Sequence, residues 1–177
     1  MDPILSVHVK LLAVDLLSLR IQPSDPPTFT HNSRPVSRAE TLGVVVSRER
    51  KDKFLKFLVD DGTGCIPCIL WLNHHMFASR FHPIDLELKM QMALEYAEKI
   101  QLGILVSVRG RFTAYRGIIQ ITVADVVVER DPNMELFHWM DSIRLSRQYN
   151  DANKKLPPQS IPTLDSGKNP VQFDLKK

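Results

Sequence analysis

The sequence predicts a mainly β protein, a five-stranded Greek-key barrel with a helix at each end. Three observations carry that reading. Residues 42–123 contain five β-rich runs, four of them with period-two alternation of apolar side chains. A single helical repeat falls between the third run and the fourth. The turn Asp61-Gly62-Thr63-Gly64 joins the second and third runs tightly enough for a hairpin.

The elements follow in order. Residues 4–21 are strongly apolar. Leu5, Val9, Leu12 and Leu16 suit a helix face and Val7, Val9 and Leu11 a strand; the helix is preferred. Residues 22–35, QPSDPPTFTHNSRP, hold four prolines and read as a loop. Leu42–Val46 is the first strand, and SRERKDK (47–53) a polar loop after it. The stretch FLKFLVDDGTGCIPCILW (54–71) is the second and third strands. With Gly62-Thr63 as a type II′ turn, Asp61 faces Gly64, Val59 pairs with Ile66, Phe57 with Cys68 and Leu55 with Leu70. Those residues make one apolar face. Lys56 then meets Ile69, and Phe54 meets Trp71, on the other.

Residues 72–84 look irregular. Asp85 is the expected N-cap of a helix carrying Leu86, Met90, Ala93, Leu94, Ala97 and Ile100, with Gly103 as its stop. In the fourth strand Ile104, Val106, Val108 and Phe112 face one way, and Leu105, Ser107, Arg109 and Arg111 the other. TAYRG (113–117) turns the chain into the fifth strand, where Ile119, Ile121 and Val123 alternate with Ile118, Gln120 and Thr122. Asp131-Pro132-Asn133 opens a last helix, residues 133–149. Three strands, a helix and two strands are the order of an OB fold. The chain divides into an N-terminal extension (1–35), an OB-fold domain with its C-terminal helix (36–150) and a polar tail (151–177) expected to be disordered.

Composition narrows the function. Of the 177 residues, 44% are hydrophobic and 24% charged, which suits a globular chain. No apolar run nears the ~20 residues that span a bilayer. The start, MDPILSVHVK, lacks the basic n-region of a secretory signal. A net charge of +3 permits a nucleic-acid partner without demanding one. DDGTG is followed by a strand, where a phosphate-binding loop needs Lys-Ser/Thr and a helix. Cys65 and Cys68 have CxxC spacing, with His74, His75 and His82 downstream. On a regular strand, however, the two thiols point to opposite faces, so a shared metal is disfavoured. The adjacent acids Asp60 and Asp61 read as solvated turn residues. No nucleophile–base set stands out, so the chain reads as non-enzymatic and without a cofactor.

A binding surface remains. OB folds take single strands on the face of strands two and three, between the strand one–two and four–five loops. Those places carry Phe54, Lys56, Ile69 and Trp71; Arg48, Arg50, Lys51 and Lys53; and Arg111, Tyr115 and Arg116. Rings stack bases and cations follow phosphates. Phe54 and Trp71 also have a plainer reading, as a cross-strand pair covered by another segment. On the last helix, Leu136, Met140, Ile143 and Arg147, with Phe137 beside them, form a stripe.

GVVVSRERKDKFLKFLVDDGTGCIPCILW (43–71), VSVRGRFTAYRGIIQITVADVVVERDPN (106–133) and ELFHWMDSIRLSRQYND (135–151) resemble the STN subunit of the CST telomere-capping complex, plant members most. The DDGTG segment is also similar to the middle subunit of replication protein A. The STN resemblance implies a nuclear, telomeric protein that binds single-stranded telomeric DNA, protects chromosome ends and supports their replication and C-strand fill-in. It implies a small TEN partner, a large CTC-type partner and work with DNA polymerase alpha–primase. It makes Trp71 and Tyr115 DNA contacts. A family basic residue is replaced here by Thr113, with Arg111 and Arg116 nearby as substitutes. It makes Leu136, Phe137, Met140 and Ile143 the stripe that meets TEN. The winged-helix modules of animal and fungal members do not fit in a polar tail of ~25 residues. Two rival readings are a general single-strand-binding subunit of the replication protein A type and an architectural OB subunit that touches no DNA.

Overall fold

The computed structural model describes residues 7–32, 34–73 and 82–154. The chain opens with β1 (His8–Lys10), a short helix α1 (Ala13–Leu17) and β2 (Arg20–Gln22), where one N-terminal helix was expected. The strand pattern of Val7, Val9 and Leu11 prevails because β1 finds a partner, pairing in parallel with Arg38–Glu40. Residues 4–6 of the expected helix lie outside the described residues. The expected loop at 22–35 contains two strands, β3 (Thr28–His31) and β4 (Arg34–Val36), which join β2 in a small three-stranded sheet. The proline signal misleads in part. Pro23, Pro26 and Pro27 fall in the β2–β3 connection, whereas Pro35 sits on the edge strand β4, where a missing N–H is tolerated. Phe29 anchors this sheet, 4% exposed, against Phe112 at 5.7 Å.

The barrel is built from β5 (Arg38–Arg50), β6 (Phe54–Asp60), β7 (Cys65–Trp71), β8 (Leu105–Tyr115) and β9 (Ile118–Val128), with α2 (Pro83–Lys99) between β7 and β8. Its order is β5-β6-β7-β9-β8, closed by a β5–β8 pairing. β5 closes it by serving two partners: Arg38–Val44 pair with β8 and Val44–Arg50 with β6, with a register shift between Val45 and Ser47. At the crossover a Cβ on Gly43 would stand 2.3 Å from the Asp60 carbonyl oxygen, so only glycine fits. The β6–β7 register is the expected one at every pair, from Phe54↔Trp71 to Val59↔Ile66. Gly62 has φ +81° and Asp61 N–H donates to Gly64 O at 3.3 Å, as a first-position glycine turn requires. Leu55, Val59, Ile66, Val106, Val108 and Ile121 are fully buried inside the barrel.

β5 runs four residues beyond the expected first strand, so Arg48 and Arg50 are strand residues and the loop shrinks to 51–53. α2 starts at Pro83, before the expected Asp85 cap. Proline's fixed φ suits the first helical position, and His82 becomes the N-cap. The helix buries Leu86 near its start and seats Ala93 and Ala97, with Ile100 just beyond its end, in the barrel's core cluster. β8 continues through Tyr115, which leaves Arg116-Gly117 alone as the turn, both at positive φ. α3 (Asn133–Lys154) extends past the expected 149; its last residues are the first of the expected tail, the rest of which lies outside the described residues.

Candidate nucleic-acid interface

Parity on three strands, with the turn residue Arg116, gathers five side chains on the outside of the barrel. Phe54 and Trp71, directly opposite on β6 and β7, meet edge to face with centroids 5.8 Å apart and planes at 75°. Lys56, two residues on and on the same face, holds its Nζ 5.3 Å from the Phe54 ring and 5.7 Å from the Tyr115 ring. Tyr115 ends β8 and is 54% exposed, with the Arg116 guanidinium 5.3 Å from its centroid. Lys56 therefore links the β6–β7 pair to the β8–β9 hairpin through two cation–π contacts, each of ~0.5–1 kcal/mol when exposed. Ile118, the cross-strand partner of Tyr115, is 61% exposed and belongs to the same rim. Its outward phase follows from the alternation of Ile118, Gln120 and Thr122, but an aliphatic side chain has neither the charge nor the ring that marks a nucleic-acid contact.

The other expected cations are placed differently. Arg48 Nη2 donates to the Ala97 carbonyl at 3.1 Å near the C-terminal end of α2, where a positive charge also meets the negative end of the helix dipole. Arg50 pairs with Glu98, and Lys51 lies 2.9 Å from Glu49, whose carboxyl it holds below its ordinary value. Arg111 is exposed on β8 beside Arg38 of β5; its link to the aromatic cluster is the strand row Arg111–Thr122–Ile69–Lys56. Ile69 has the expected outward parity but is 4% exposed, so it supports the face from beneath. Thr113 bonds across to Thr122, Oγ to Oγ, at 2.9 Å.

The CxxC pair divides as strand parity requires, Cys65 exposed and Cys68 buried, with burial pushing the Cys68 thiol's pKa up. Among the described residues no three His, Cys, Asp or Glu side chains converge as a metal site. His74 and His75 lie outside them.

On α3 one face is docked and the other bare. His138 and Ser142 are buried against the barrel side, and Trp139 donates its indole N–H to the Asp61 carbonyl at 2.9 Å. Leu136, Phe137, Met140 and Ile143 are 62%, 59%, 67% and 41% exposed, with Arg147 exposed beyond them. Asp61, expected to be solvated, is fully buried. Its carboxylate accepts from Ala13 N (2.6 Å), Thr63 N (2.8 Å) and Thr63 Oγ1 (2.7 Å). One residue thus ties the hairpin turn to α1 and to α3. That role requires segments distant in sequence, so no local pattern announces it.

No protein-family model matches the chain. It is 42% identical over 145 residues to the CST complex subunit STN1 of Arabidopsis thaliana, covering 80% of this chain and 91% of that one. It is 29% identical to the human CST complex subunit STN1, over 99% of this chain and 50% of that one, and so spans about half the length of its animal relatives. Among solved structures, the S. pombe Stn1–Ten1 complex includes a chain superposing with TM-score 0.68 at 16% identity, covering 84% of this chain and 98% of that one. A replication protein A heterotrimer bound to single-stranded DNA gives 0.61 at 19% identity, over 81% and 98%. These two likenesses establish the shared OB architecture.

Proposed function

The chain belongs to the family of CST complex subunit STN1, and on that premise we propose that it binds single-stranded telomeric DNA as a non-catalytic OB subunit. The observation that carries this is the cluster of exposed Tyr115 and partly exposed Phe54 and Trp71 around Lys56 and Arg116. The rings offer faces and edges to bases, and the two cations stand where phosphates would run. Arg111 adds a charge along the same strand row; Arg48 and Lys51 contribute less, because carbonyl and carboxylate partners already hold them. The bare stripe of Leu136, Phe137, Met140 and Ile143, with Arg147 at its end, recruits a small TEN subunit, and a large CTC-type subunit completes the complex. In the nucleus, at telomeres, that assembly protects chromosome ends and supports C-strand fill-in with DNA polymerase alpha–primase.

The engagement of Arg48, Arg50 and Lys51 within the protein favours one second reading, an architectural subunit without DNA contact. Titration of single-stranded telomeric DNA with the purified chain, alone and with a TEN subunit, across salt, separates the two. Stacking predicts that Trp71→Ala loses ~1–3 kcal/mol of binding. Phosphate contacts predict log affinity falling linearly with log salt. Unchanged affinity for Trp71→Ala removes the stacking assignment. Absence of DNA binding by chain and complex alike establishes the architectural reading.

A further inference from the structure

The strand row that links Lys56 to Arg111 does not stop at β8. Arg111 pairs directly with Arg38 of β5, and Arg38 with His8 of β1. The full row, Lys56–Ile69–Thr122–Arg111–Arg38–His8, crosses β6, β7, β9, β8, β5 and β1 in register. Directly paired residues share a face, so the row follows the outside of the sheet. Arg111 is exposed, and Arg38 and His8 are partly exposed. The row contains no carboxylate. Its neighbour, Asp125–Arg109–Glu40–Lys10, alternates in sign and is paired: Arg109 Nε lies 2.8 Å from Glu40 Oε2 and Lys10 Nζ 4.0 Å from Glu40 Oε1. Like charges directly opposite on a sheet repel, and Arg38 stands opposite Arg111. The positive field reaches the end of the row. Burial, then the charges of Arg38 and Arg109, hold the His8 imidazole below its ordinary 6.5, against the weaker pull of Glu40 and Asp125.

We propose that a single strand seated on the Phe54–Trp71–Tyr115 cluster continues around the barrel, its phosphates held by Arg111 and Arg38 and its end reaching His8. The proposal rests on the reading of that cluster as the nucleic-acid face and adds a β8–β5–β1 subsite to it. The path is short enough for one OB fold. At ~4.8 Å between strands, Lys56 to Arg38 covers about 19 Å of surface, within the ~4–16 nucleotides that such a fold takes. Its middle is low and uncharged, with Ile69 buried and the Thr122 hydroxyl bonded to Thr113. At its far side the planar guanidinium forks match phosphate oxygens, and an anion between Arg111 and Arg38 turns their repulsion into a shared attraction.

The test uses the full-length chain and single-stranded telomeric oligonucleotides of about 5 and about 14 nucleotides. Wild type, Arg38→Gln, Arg38→Lys and Trp71→Ala are titrated with each across salt, and their thermal melts are recorded. Arg38→Gln should bind the longer strand about fivefold more weakly, with a log–log salt slope smaller by about 0.7, one phosphate contact. It should bind the shorter strand as wild type does, and Arg38→Lys should recover the longer one. In the wild type, the His8 ring protons and the Arg38 amide should shift in NMR titration with the longer strand and stay in place with the shorter; this readout holds even if a variant melts early. Wild-type affinity of Arg38→Gln for the longer strand, with no shift at His8, overturns the subsite while a loss in Trp71→Ala leaves the cluster reading standing. An equal loss by Arg38→Gln on both lengths also overturns it, since Arg38 then acts through the overall field. If Trp71→Ala binds both lengths as wild type does, the cluster reading falls and the subsite with it.

Discussion

The two ends of the β6–β7 hairpin contrast sharply. Its turn, Asp60 to Gly64, has the most polar sequence of the stretch, yet Asp61 is fully buried and bonded to α1, to Thr63 and to α3. Its open end carries Phe54 and Trp71, which stay half-exposed and meet only edge to face. Polarity alone would assign the ends the other way round. Asp61 is buried, within a turn that otherwise stays partly exposed, because its acceptors satisfy N–H groups that two distant elements leave unpaired, which makes a buried carboxylate tolerable. The open end is exposed because strand parity, set by the inner apolar face, turns the rings outward.

Breaking the turn end should have the largest effect. Asp61→Ala strands the Ala13 and Thr63 donors and should cost about 3 kcal/mol in urea unfolding, while DNA affinity of the folded fraction stays near wild type. Breaking the open end should do the reverse. Lys56→Ala removes the cation shared by Phe54 and Tyr115 and should weaken single-strand binding by about 1 kcal/mol with a shallower salt slope, leaving the unfolding midpoint little changed.

A third test sharpens the turn end through pH. Burial holds His138 below the ordinary imidazole value of 6.5, opposed by its contact with the Leu11 carbonyl at 3.5 Å and reinforced by Lys10. The unfolded chain therefore takes up this proton at higher pH than the folded chain. Stability should be full above about 6.5 and decline as pH falls from there toward the folded value. His8 and His31 are also lowered by burial and act in the same sense, so His138→Gln should flatten the slope of melting temperature with pH without abolishing it. The smallest effect belongs to Lys51→Ala. Its exposed pairing with Glu49 is worth ~0–1 kcal/mol, so stability and DNA affinity should both barely move.

Legibility in the sequence followed the range of the interactions involved. The β6–β7 register was readable pair by pair because a glycine turn and period-two alternation fix it locally. The α3 stripe was readable from helical spacing. β1 was not, since a parallel edge strand exists only when β5 stands beside it. The small β2–β3–β4 sheet was hidden by prolines that mark its connection and its edge. Within the proposed DNA face, residue type found Phe54, Lys56, Trp71 and Tyr115, but could not show that Arg48 is engaged with α2 or that Ile69 is covered.

The double pairing of β5 also has a consequence in time. β6–β7 and β8–β9 are hairpins of neighbouring segments, whereas β5 reaches β8 across the whole of β6, β7 and α2. Loop-closure entropy places that seam last. Pulsed hydrogen exchange should find amides of Arg38–Val44 protected after those of β6 and β7. Until they are, the unpaired edge of β8 is the strand most open to pairing with another molecule.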